Sequence, residues 1–146
     1  MTVSGVLPAT SFGRKMQTRL LMGLSAVFMA AFGLIASFVP GDLLVTLGVP
    51  PVPVLLTVVQ IAGALYLAFA MLNWMARGVL IGGIYSRPLA LANFLHFAMV
   101  AVTLFRAIPS LNMISVIAVT LAYAVFAAWF ALVLFTHPIR GGKNGR

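Results

Sequence analysis

Cysteine is absent from all 146 residues, and carboxylates are nearly so: Asp42 is the only acidic side chain. The first absence excludes a disulfide framework, a thiolate nucleophile, cysteine-ligated zinc and iron–sulfur clusters. The second excludes paired carboxylates for general acid/base work, Asp-held Mg²⁺ and the Ser-His-Asp arrangement. Most hydrolytic and phosphoryl-transfer chemistry is thereby closed to this chain acting alone. Charge of either sign is scarce, at 7% of residues, where a soluble domain needs about 25%.

What is abundant is apolar surface, at 63% of the chain. It gathers into four long runs, at about residues 20–39, 54–76, 88–105 and 111–136. The first reads LLMGLSAVFMAAFGLIASFV and holds no charge. At about 1.5 Å per residue such a run crosses a hydrocarbon core of about 30 Å. Pro40 and Gly41 end it, Pro88 and Pro109 stand where helices begin, and Pro138 follows the last run as a stop. The pattern predicts an all-α polytopic membrane protein, a four-transmembrane-helix bundle in a single domain over 1–146, with flexible tails at 1–13 and 139–146. A secretory signal would carry an apolar stretch of only about 7–15 residues, so the first run reads as a retained anchor.

The formal charge of +8 does not point to nucleic acid, because the basic residues fall in short segments separated by apolar runs and form no continuous face. They point to topology. Arg14, Lys15 and Arg19 precede the first run, Arg77 and Arg87 separate the second from the third, and Arg140, Lys143 and Arg146 follow the fourth. Only Arg106 lies on the opposite side. The positive-inside rule then places both termini in the cytoplasm, with some attraction to anionic headgroups. In the outward loop, residues 40–53, Asp42 is expected to cap a short interfacial helix, and three prolines hold the chain extended after it. The apolar inward loop, residues 77–88, is expected to lie in the interface with Tyr85 as its anchor. No internal repeat supports an inverted-repeat transporter.

A site in such a protein is sought among polar groups inside the spans, which are costly unless paired. The third run carries Asn93, His96 and Thr103 within one helical stripe, with Arg106 at its edge. The second presents Gly63, Tyr66, Ala70, Asn73 and Arg77 on one face. If Arg77 and Arg87 mark the same boundary, Asn73 lies about 6 Å deep and Asn93 about 9 Å; Tyr66 lies about 16 Å deep and His96 about 13 Å. Antiparallel neighbours would therefore bring Asn73 to Asn93 and Tyr66 to His96. Gln60, Thr120 and Tyr123 are further polar groups within reach of the interior. These residues serve either as interhelical glue, at about 0.6 kcal/mol per hydrogen bond, or as a pocket for a small molecule, with His96 as proton relay or hydrogen-bond partner of a quinone-like carbonyl. Haem ligation lacks a second histidine at matching depth, since His137 ends the fourth run. No metal site and no particular cofactor are indicated.

Other features read as packing. Ala26, Ala30, Gly33 and Ser37 form a small-residue stripe suited to close helix contact. Trp74 is a headgroup-level anchor. Gly78, Gly82 and Gly83 lack the lysine of a phosphate loop.

The stretch GALYLAFAMLNWMARGVLIGGIYSRPLALANFLHF, residues 63–97, resembles the small four-helix bacterial membrane proteins of the DoxX-like type. A Gly-containing second helix, a Trp-Arg boundary, an Arg-Pro start to the third helix and an Asn/His pair within it carry the likeness. It covers about a quarter of the chain and brings no catalytic motif. The resemblance implies a bacterial inner-membrane location and an accessory or small-molecule-binding role in redox or quinone-linked complexes.

The readings that remain begin with an accessory or structural subunit of a larger membrane complex. The alternative is a membrane module that binds a quinone or lipid through Tyr66, Asn73, Asn93 and His96. A proton-coupled exporter would need an embedded carboxylate. A lipid-metabolising enzyme with His96 as acid/base would need a carboxylate or metal from a partner. Enzyme activity is the weaker expectation, and partners are the bilayer, a larger complex or a second copy.

Overall fold

The computed structural model describes residues 9–78, 86–111 and 114–135. Five helices follow one another: α1 (Ala9–Phe38), α2 (Pro40–Thr46), α3 (Pro53–Ala76), α4 (Ser86–Leu111) and α5 (Ile114–Phe135). Four of them contain stretches long and apolar enough to cross a bilayer: Met16–Phe38, Pro53–Ala76, Arg87–Pro109 and Ile114–Phe135. Their outward faces carry Val58, Leu65 and Leu72 on α3, Leu95 and Met99 on α4, and Leu121 and Val125 on α5, all exposed. So much exposed apolar surface suits hydrocarbon as solvent. The chain is a multi-pass membrane helix bundle.

Boundaries differ from expectation in instructive places. The first helix begins at Ala9, so residues 9–13 are helical where a tail was expected. Pro109 does not open the last span. It lies inside α4, which is helical through Leu111, and α5 is described from Ile114. A proline forfeits one backbone hydrogen bond, and at Pro109, beyond the exposed Arg106, α4 carries that loss. Asp42 is not a cap either. The N-cap of α2 is Val39 with no side-chain cap bond, and Asp42 falls in the first turn, where its charge favours the helix dipole. The far end of α2 closes properly: Val49 N–H donates to Leu44 O and Gly48 N–H to Val45 O, both at 2.9 Å. Gly48 takes φ +73° to do it, the left-handed conformation such a closure needs. The interfacial placement of Tyr85 and the tail at 139–146 fall outside the described residues.

The helices pair before they bundle. α1 packs closely along α3, and α4 along α5. Small residues explain the first pair. A Cβ on Gly33 would stand 2.8 Å from Leu67 Cγ and 3.0 Å from the carbonyl oxygen of Gly63. One on Gly63 would stand 2.7 Å from the backbone nitrogen of Ser37. Only glycine permits backbones this close. Phe97 binds the second pair, stacking on Phe126 at 4.9 Å and on Phe130 at 5.7 Å between ring centroids. Phe28 of α1 joins the pairs by contacts with Phe97, Tyr123 and Phe126. The core is thus a layer of aromatic rings, with amides set toward the end of the bundle that holds Arg19 and Arg77.

Candidate functional site

The interior polar residues form two groups. In the first, Asn73 of α3 and Asn93 of α4 are both fully buried and bond reciprocally: Asn73 Nδ2 donates to Asn93 Oδ1 and Asn93 Nδ2 to Asn73 Oδ1, each at 2.7 Å. The second hydrogen of Asn93 goes to its own helix, at Leu89 O (2.9 Å). That of Asn73 goes to Ser25 Oγ on α1 at 3.1 Å, with Met29 Sδ at 3.6 Å beside it. Ser25 in turn donates to Met22 O at 3.1 Å. A carboxamide has two hydrogens to place, and here all four are placed within the protein. The expected meeting of Asn73 with Asn93 occurs.

The second group lies deeper. Tyr66 and His96 do meet, but as rings, edge to face at 5.0 Å between centroids. The Tyr66 hydroxyl turns to α5, where it shares a 2.7 Å hydrogen bond with the hydroxyl of Tyr123. A hydroxyl pair is a better match because each can donate and accept. His96 is left among aromatics, stacked on Phe69 at 5.6 Å and edge-on to Phe97 at 5.4 Å. Its Nε2 is shielded and has no hydrogen-bond partner. Among the described residues only Ser37 Oγ and Arg77 Nη1 share that condition.

The remaining polar candidates stay apart. Thr103 is exposed and bonds back to Met99 O (2.9 Å), and Arg106 is exposed. The stripe on α4 therefore turns out of the interior beyond His96. Thr120 is buried but bonds its own helix at Val116 O (2.7 Å). Gln60 reaches Ser37 O at 3.5 Å from an exposed position. Among the described residues no three His, Cys, Asp or Glu side chains gather as a metal site would require.

Ser25 had no place in the sequence reading, although it was findable. Counting inward from Arg19 puts it about 9 Å deep, level with Asn93. Tyr123 counts among the polar groups within reach of the interior, but nothing in its residue type says that it faces Tyr66.

No protein-family model, no curated protein and no solved structure matches this chain.

Proposed function

We propose that this protein is an accessory or structural subunit of a larger complex in a bacterial inner membrane, threaded with both termini in the cytoplasm. The observation that carries the proposal is the closed amide cluster. Asn73 and Asn93 spend every amide hydrogen on Ser25, Leu89 and each other, so the polar interior serves cohesion and offers a ligand little. The shortage of carboxylates supports the same reading, since a lone chain with only Asp42 has little with which to move protons. The pattern over residues 63–97 supports placing it beside the DoxX-like proteins.

One observation favours the alternative, a module that binds a quinone or similar molecule. The unpartnered Nε2 of His96 is a hydrogen-bonding atom kept dry without a partner, a condition that costs about 1–3 kcal/mol. A ligand carbonyl would relieve it if the neutral ring carries its proton there.

Native mass spectrometry after mild extraction from the protein's own membrane separates the two. Co-extraction of a larger membrane protein at fixed stoichiometry, unchanged by His96→Ala, is the expected result. A small non-lipid adduct that vanishes with His96→Ala, with no partner retained, would replace the subunit reading by the binding module.

A further inference from the structure

The outer face of the α1–α3 pair carries a feature the amide cluster does not use. A cavity of about 500 Å³ is lined at one end by Arg19 and Arg77 and continues along Leu20, Gly23, Val27 and Trp74. A second, of about 440 Å³, takes up Val27 and Trp74 again and runs on to Ala30 and Leu67. The shared side chains make them one groove, cationic at its mouth and apolar along its length. From Arg19 to Ala30 a helix rises about 16 Å, one leaflet of a hydrocarbon core about 30 Å thick.

Both ends of the groove have physical causes. Its floor is open because Gly23 has no side chain, and a Cβ there would meet no atom within 4 Å. Nothing in the packing of the helices calls for glycine at that position, which distinguishes it from Gly33 and Gly63. At the mouth, the Arg77 guanidinium lies over the Trp74 ring, 3.5 Å from its centroid, a cation–π contact that fixes its position. Arg77 Nη1 is shielded yet has no hydrogen-bond acceptor. No carboxylate of this bundle end can supply one, since Asp42 is the chain's only acidic side chain and stands on α2, by the opposite ends of α1 and α3. The guanidinium charges at the mouth therefore have no carboxylate side chain at this end of the bundle to compensate them.

We propose that this groove binds an anionic phospholipid, with its phosphate against Arg19 and Arg77 and an acyl chain along Gly23, Val27 and Ala30. The cavity size falls in the usual range for bound small molecules, about 300–1,000 Å³. Guanidinium is the side chain best matched to phosphate, through parallel N–H donors. A zwitterionic lipid would fill the apolar part equally well but would bring a cation back to the mouth. The proposal rests on the membrane-spanning fold and is independent of the subunit reading.

The test is native mass spectrometry of the purified full chain in detergent with equal amounts of phosphatidylglycerol and phosphatidylethanolamine. The wild-type protein is expected to retain phosphatidylglycerol preferentially. Arg19→Gln with Arg77→Gln should lower that retention about twenty-fivefold, at about fivefold per charge, while the lysine pair keeps most of it. Gly23→Phe, whose Cβ would meet no atom within 4 Å, places a ring in the groove, so it should reduce retention of both lipids, with the melting temperature in detergent as the control for folding. Equal retention of the two lipids, or phosphatidylglycerol retention indifferent to the glutamine pair, overturns the proposal. So does a Gly23→Phe variant that keeps its lipid but loses a dimer, which would make the groove a seat for a second copy.

Discussion

Replacing Asn73 with leucine is expected to destabilise the bundle by about 2 kcal/mol, well above the average for one polar contact between membrane helices. The leucine fits roughly the same volume, so packing is not the main loss. What is lost is the partner of a buried amide. Asn93 would keep its bond to Leu89 O, but its Oδ1 and one Nδ2 hydrogen would be stranded in a dry interior, at about 1–3 kcal/mol for such a group. Asn93→Leu should cost a similar amount for the mirror-image reason. The double variant decides the matter. With both amides gone nothing is stranded, so its cost should fall short of the summed single costs by about 1–2 kcal/mol. Unfolding by denaturing detergent, followed by circular dichroism, measures all three. Strict additivity would show that the two amides do not act as a reciprocal pair.

Adding one methyl group at Gly63 should be about as harmful. An alanine Cβ there would stand 2.5 Å from Ser37 Oγ, 2.7 Å from Ser37 N and 3.0 Å from the carbonyl carbon of Ala36. Two of those three atoms are main chain and cannot swing away, so α1 and α3 must move apart. Overpacking of this kind costs about 1–3 kcal/mol. Ser37→Gly in the same chain should restore only part of the loss, because it removes the hydroxyl and leaves the backbone contact. Gly23→Ala is the matched comparison. With open space around that position, alanine should be neutral or stabilising by up to about 1 kcal/mol through its better helix propensity. Thermal melts of the three variants in one detergent give the ranking, and a harmless alanine at position 63 would contradict the close approach described for these helices.

Much of this architecture can be read from the chain because a bilayer imposes simple rules. Helix length is set by thickness, and lateral position within the bundle by which face is polar. Residue depth follows from counting inward from a boundary arginine, and that count brought Asn73 to Asn93 correctly. It failed to find the partner of Tyr66 because depth ranks candidates without saying which helix they come from. Tyr123, on α5, offers a hydroxyl that suits a phenol better than His96 does. The extent of α4 was not legible because proline occurs around helix ends as well as at helix starts, and nothing in the local sequence says which. The α1–α3 groove was not legible at all. Arg19, Gly23, Trp74 and Arg77 are each ordinary in sequence, and only the closeness of two helices places them along one surface.

The pairing of α1 with α3 and of α4 with α5 also bears on the order of assembly during synthesis. If the first hairpin enters the membrane ahead of the second, Asn73 meets hydrocarbon before Asn93 does. Ser25 belongs to the same hairpin and accepts one of its hydrogens, so part of the amide is paired before Asn93 arrives. Asn93 likewise arrives already bonded to Leu89 in its own helix. Each half thus meets part of its amide's need, and the reciprocal pair supplies the rest once the halves meet. Ser25, whose hydrogen bonds both stay within the first hairpin, is then a residue for the interval before the two halves meet.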